Sequence, residues 1–146
     1  MPIIIDDRYY NTLDIDGFSQ MMKYPSYCYK FYWLEAIVKL IAEDVHETTM
    51  DAIIDEMICN AWYSVCEFHI HLSGIKADGT VCDGLERAIL KLAELSHLHS
   101  SASKVEILNT IAKYNSEIKI YALFKKNIAR ILENEFNTVF MAMLTQ

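Results

Sequence analysis

The chain has 146 residues, of which 53% are hydrophobic, with only four glycines and two prolines. This apolar content excludes a disordered chain, and the scarcity of turn formers excludes a collagen-like repeat or a sandwich of many short strands. Thirteen lysines and arginines against twenty aspartates and glutamates give a net charge of −7, which excludes a uniformly basic nucleic-acid binder. The length suits one domain, but composition alone indicates no function.

No apolar run reaches the roughly 18 to 20 residues that a membrane span requires. The longest run, 31–42, contains Glu35 and Lys39, and the N-terminus lacks the basic region of a signal peptide. We therefore predict a cytoplasmic protein without a membrane span. Its four cysteines are expected to be reduced thiols, because a chain with this much apolar surface needs no disulfide.

Helical hydrophobic spacing covers most of the chain. The predicted segments begin with a short turn at 18–22 and a helix over 27–43. A second helix starts at 48 or 49 and ends at about 62 or 66, and a third follows 83–84 and ends near 97–100. A fourth covers 105–114, and a long last segment begins at 118. Thr48 or Thr49 is the expected cap of the second helix, and Ser103 with Glu106 forms a capping box. Apolar residues surround the first turns of the 27–43 helix, so we expect it to be buried on more than one side.

Two short stretches depart from helical spacing. Residues 68–72 alternate apolar side chains with His69 and His71, which predicts a short strand or an extended crossing. Residues 73–79 are the clearest loop. The sequence therefore predicts an all-α, compact bundle of five or six helices, with at most a short extended segment near 68–72. We expect a single helical domain over 1–146, and its apolar end is more typical of the N-terminal part of a longer chain than of a natural terminus.

Metal binding and catalysis have weak support. Cys66, His69 and His71 are candidate metal ligands, and Cys82 lies eleven residues further on. Zinc sites use paired ligand knuckles, which one cluster and a lone cysteine do not form, so solvated histidines are the favoured interpretation. Motifs for a nucleophile or a phosphate-binding loop are missing. The carboxylates of Asp51, Asp55 and Glu56 are expected on a solvated helix face. We predict no cofactor and no catalytic residue.

Aromatic residues interleaved with Lys23 and Lys30 are typical of either a packed core or a base-stacking surface, and we favour the core. The aromatic residues are Tyr24, Tyr27, Tyr29, Phe31, Tyr32 and Trp33.

Two motifs carry a family resemblance. The segment 26–37, SYCYKFYWLEAI, and the segment 56–63, EMICNAWY, together resemble the N-terminal region of bacterial HNH endonuclease-like proteins. That family has a segment like S-Y-K-[FY]-Y-W followed by one like M-I-x-x-A-W-Y, and its nuclease motif comes later in the chain. The resemblance covers the first half of the sequence and implies a parent protein that is an endonuclease.

The departure from that family lies in the catalytic part. An HNH nuclease needs a histidine base, a metal ligand and an asparagine in a ββα setting, and no histidine here stands in such an arrangement. By the family's layout that domain would begin after residue 146. The resemblance therefore implies a non-catalytic helical module of a restriction or phage-defence protein, which contributes DNA contact or dimerisation.

Charge is divided between the two parts of the chain. Residues 1–100 hold seven basic against sixteen acidic residues, whereas residues 101–146 hold six against four. The candidate DNA-contacting residues are Lys30, Lys119, Lys125, Lys126 and Arg130. The competing interpretation is that these basic residues serve only to keep the protein soluble. The alternative function is a stand-alone protein-interaction or regulatory protein that uses the acidic surface of the first hundred residues.

Overall fold

A computed structural model describes residues 29–117 of the chain, and these residues contain four helices. They are α1 (Tyr29–Ala42), α2 (Met50–Cys66), α3 (Gly84–Ser96) and α4 (Lys104–Glu117). Within these residues the predicted all-α class is confirmed. The described part holds four helices rather than the predicted five or six, and the predicted segments at 18–22 and from 118 onward lie outside it.

Local capping explains where three helices begin. Thr49 accepts a hydrogen bond from the backbone N–H of Ala52 at 3.2 Å, which satisfies one free donor at the start of α2. At α4 the predicted capping box is confirmed: the Ser103 N–H donates to the Glu106 carboxylate at 2.7 Å, and the Glu106 N–H donates to Ser103 Oγ at 3.4 Å. Asp83 caps α3.

The hydrophobic core is built around α2, which packs against each of the other three helices. One side of α2 supplies a continuous row of buried apolar side chains, because residues three and four apart share a face. The Trp62 ring lies in this row, and its indole N–H donates to the His99 carbonyl at 3.1 Å. The core residues are Trp33, Ala36, Ile53, Ile54, Met57, Ile58, Ala61, Trp62, Val65, Leu72, Leu85, Ala88, Ile89, Leu92, Ile107 and Ile111.

The connection between α2 and α3 differs from the sequence expectation. No strand forms at 68–72, because His69 adopts a left-handed conformation (φ 51°) that interrupts an extended chain. The only β-bridge of the described residues lies further on, between Ile75 and Val81. The intervening turn is closed by a hydrogen bond from the Lys76 N–H to the Thr80 carbonyl at 3.0 Å, and Gly79 supplies its positive φ of 82°.

The cap of α3 gives a pH-dependent expectation. Asp83 is buried, its Oδ1 accepts from the Glu86 N–H at 2.9 Å, and no donor within the described residues reaches its Oδ2. Burial raises the pKa of Asp83 above its ordinary value of 3.8. Because the folded pKa is raised, this group favours folding most at acid pH, and its contribution is lost as pH rises from 3.8 through the raised pKa.

Asp83→Asn keeps a good capping oxygen without the charge. Relative to wild type, its free energy of unfolding is expected to increase as pH rises from about 4 to 7. Urea denaturation at several pH values measures this difference. Asp83→Ala removes both the cap and the titrating carboxyl, so it should be less stable than Asp83→Asn by about 1 kcal/mol at every pH. If the difference in free energy of unfolding between wild type and Asp83→Asn did not change with pH, burial would not raise the pKa of Asp83.

Candidate functional site

Helix α1 has two apolar faces. One faces the core through Trp33 and Ala36, which are fully buried. On the other side Phe31, Val38 and Ile41 remain 51%, 56% and 65% exposed. Positions 31, 34, 38 and 41 follow a 3-4-3 spacing, which places them on one face of a helix. We call Phe31, Leu34, Val38 and Ile41 the α1 stripe; Leu34 is its partly buried member.

The α1 stripe corrects an expectation drawn from the sequence. We expected this helix to be buried on more than one side, and we favoured a core role for its aromatic residues. Trp33 confirms the core role, but Phe31 is exposed. The side chains of Lys30 and Tyr29 and all of residues 23–27 lie outside the described part. The described half of the aromatic cluster is therefore divided between core and surface.

A pair of charged residues borders the α1 stripe. Lys39 lies 3.1 Å from the Glu35 carboxylate, one helical turn away, and also donates to the side-chain oxygen of Asn60 on α2 at 2.6 Å. These contacts hold both charged groups beside the exposed apolar side chains. The edge of the stripe therefore carries one negative and one positive charge in a defined order along the helix.

The structure places two of the three candidate metal ligands in one cleft and the third elsewhere. Cys66 and His69 line an open cleft of about 480 Å³, together with His97 and His99, between the ends of α2 and α3. His71 instead lies 2.8 Å from the buried Glu86 carboxylate. No group of three or more histidine, cysteine or acidic side chains in the described ranges is placed to hold a metal ion.

The described cysteines are free thiols, as the sequence predicted. Burial raises the pKa of the Cys66 thiol to about 11 and, with the nearby Glu56 charge adding to the effect, that of Cys59 to about 12. Both are therefore protonated at neutral pH. A protonated thiol is a poor nucleophile, so neither residue is activated as a nucleophile.

His71 has a structural contact that its sequence position did not indicate. The Glu86 carboxylate, buried on α3, is shared between the His71 ring at 2.8 Å and the Leu72 backbone N–H at 2.9 Å. Buried carboxylates need such partners, because an unsatisfied charge in the core is costly. The pair anchors the chain after α2 and places Leu72 in the core.

A second buried carboxylate contradicts the prediction for the acidic face of α2. Asp51 is exposed as expected, but Glu56 is buried and lies 2.8 Å from the Lys104 ammonium. Lys104 also contacts Glu43 at 2.7 Å, so this cluster joins the end of α1, the middle of α2 and the start of α4. The position of Glu56 among the buried residues Ile53 and Met57 is the sequence signal that could have identified it.

The Lys104 ammonium is held in its charged form. Burial acts to lower the pKa of Lys104, but its hydrogen bonds to Glu43 and Glu56 outweigh this effect and raise the pKa above 10.5. The cluster therefore keeps one cation between two carboxylates at neutral pH. Its geometry fits a structural tie between helices rather than an acid and base pair.

The predicted DNA-contacting residues are beyond what the structure describes. Lys119, Lys125, Lys126 and Arg130 lie outside residues 29–117, and Lys30 falls in the first turn of α1 without a described side chain. By sequence, residues 29–117 contain seven basic and fourteen acidic residues. No helix in that range is long and apolar enough to cross a bilayer.

Comparison with known proteins finds no family model, no curated protein and no solved structure that matches this chain. The resemblance to HNH endonuclease-like proteins therefore rests on the two sequence motifs. Their tryptophans, Trp33 on α1 and Trp62 on α2, are both buried in the core. The motifs thus coincide with packing residues of two adjoining helices.

Proposed function

We propose that the chain is a non-catalytic helical module of an HNH endonuclease-like protein of restriction or phage defence, built as a bundle of five or six helices. Its task in this proposal is assembly: it joins two protomers so that their nuclease parts act on both strands of DNA. The α1 stripe is the observation that carries this proposal. Exposed apolar side chains grouped on one helix face are typical of interaction surfaces.

DNA contact is the second element of the proposal. Because the described residues carry a net negative charge, it assigns the phosphate contacts to Lys119, Lys125, Lys126 and Arg130, with Lys30. Such binding weakens steeply with added salt, since each contact releases counterions. Fluorescence anisotropy with a labelled duplex at two salt concentrations tests this element. Charge reversal at Lys125, Lys126 and Arg130 should remove the binding.

A protein-interaction role is the alternative, and the acidic surface favours it. Asp44, Glu47 and Asp51 are exposed around the turn from α1 to α2. A partner for this surface would carry a basic patch, which opposite charge would attract at low salt. Tight binding to a basic protein together with no binding to DNA would support this alternative over the module of an endonuclease.

Val38→Glu is expected to abolish self-association. It places a charge in the centre of the α1 stripe, where pairing would bury it without a partner. Sedimentation velocity over a range of chain concentrations measures the change from dimer to monomer. Val105→Glu is the matched control, because Val105 is 66% exposed on α4 and is not part of the stripe. Equal association of wild type and Val38→Glu would contradict assembly through α1.

A further inference from the structure

We propose that the occupant of the α1 stripe is a second copy of this chain, whose own stripe packs against it in antiparallel orientation. This inference rests on the proposed assembly function and adds the partner's identity, its direction and its register. It assigns Phe31 of one copy to Ile41 of the other, and Leu34 to Val38.

Symmetry in the spacing supports this register. The four stripe positions lie five and two residues on either side of position 36, so the row reads the same in both directions along the helix. A two-fold axis at position 36 therefore brings a stripe residue of one copy opposite a stripe residue of the other at all four places. Self-complementarity of this kind is what a two-fold interface requires, because both subunits contribute the same surface.

The order of charges beside the stripe favours the antiparallel direction. In a parallel pair, Glu35 of one copy would face the opposite edge of the partner helix, so it could not pair with Lys39 of the second copy. In the antiparallel register, Lys39 of the second copy lies level with position 33 of the first. It is therefore two residues, or about 3 Å along the helix axis, from Glu35. Two such contacts between opposite charges form, one on each side of the axis.

The size of the stripe indicates a reversible dimer. It has three exposed apolar side chains on each copy, within a helix of 14 residues. Standard stable interfaces bury about 800 Å² on each partner, which is more than such a stripe supplies alone. We therefore expect dissociation on dilution rather than an obligate dimer.

Disulfide trapping tests the register. Two full-length variants, Phe31→Cys and Ile41→Cys, carry different tags and are oxidised separately and as a mixture. The expected result is a cross-link between the two variants in the mixture, because only that pair brings the new thiols within disulfide distance. Wild type and Val105→Cys, treated in the same way, give the background from the native cysteines.

The outcomes separate this inference from the function on which it rests. Cross-linking of Phe31→Cys chains with one another indicates a parallel pair and overturns the antiparallel register, while assembly through α1 still stands. Wild-type chains that remain monomeric at high concentration overturn both, and they indicate that another segment or another protein covers the stripe.

Charge reversal gives an independent test. Glu35→Lys and Lys39→Glu each place like charges at both Glu35–Lys39 contacts between the copies, so each variant alone should dimerise several-fold more weakly than wild type. An equimolar mixture of the two should recover or exceed wild-type association, because every contact between the copies then joins opposite charges. Circular dichroism checks that both variants keep the helical fold. A mixture no tighter than its components would overturn pairing of α1 with α1.

Discussion

Replacing Trp62 by alanine is expected to lower the free energy of unfolding by about 4 kcal/mol. Trp62 is only 1% exposed, and its side chain fills the centre of the core between α2 and the segments that pack on it. The change also removes the hydrogen bond to the His99 carbonyl, which connects α2 to the chain between α3 and α4. Urea denaturation followed by circular dichroism measures the loss.

Two further variants separate the causes of this effect. Trp62→Phe keeps an aromatic ring but loses the N–H donor, so its cost should be smaller than that of alanine. Tyr63→Ala is the matched control on the same helix, because the Tyr63 ring is half exposed and contacts the Phe68 ring edge to face at 5.3 Å. Its cost should be about 1 kcal/mol. Similar losses for Trp62→Ala and Tyr63→Ala would refute the central position of Trp62.

Lys104→Met is expected to destabilise the fold by about 3 kcal/mol, since it leaves the buried Glu56 carboxylate without its cation. Lys104 is itself partly exposed, which is why the lower end of the range for broken buried pairs applies. The comparison variant is Lys91→Met. Its ion pair with Glu94 is at the surface, so the loss there should be less than about 1 kcal/mol.

Glu56→Gln in the Lys104→Met background tests the assigned cause. A neutral amide does not need a cation, so the double variant should recover a large part of the lost stability, and a double-mutant cycle isolates the coupling between the two residues. Additive effects of the two substitutions would show that Lys104 acts through Glu43 or through packing, and not through Glu56.

The helix boundaries were largely predictable from the sequence because they depend on local contacts. Thr49, Asp83 and Ser103 each satisfy free backbone donors within three residues, and such contacts form whatever the rest of the chain does. The apolar spacing of α2 likewise identified its buried side, since apolar residues at helical spacing lie on one side of the helix and that side packs into the core.

Burial of individual residues was less predictable because it depends on neighbours from distant parts of the chain. Glu56 looks like a surface carboxylate until Lys104, 48 positions later, is placed beside it. Phe31 looks like a core residue because apolar residues surround the first turns of α1, and only the arrangement of the other helices shows which side is exposed. The surroundings of the weak metal-ligand candidates also depend on distant residues: His71 contacts Glu86 on α3, whereas Cys66 and His69 line a cleft.

The Glu86 carboxylate, which contacts both His71 and Leu72, also determines which part of the connection between α2 and α3 tolerates insertions. Up to Leu72 the backbone is anchored on α3, so an insertion there would pull a core side chain out of place. Beyond it, the turn between Ile75 and Val81 projects with its side chains mostly exposed and is closed by its own backbone hydrogen bonds. An epitope or a fluorescent label grafted at that tip would report on the protein while leaving its interior and α1 untouched.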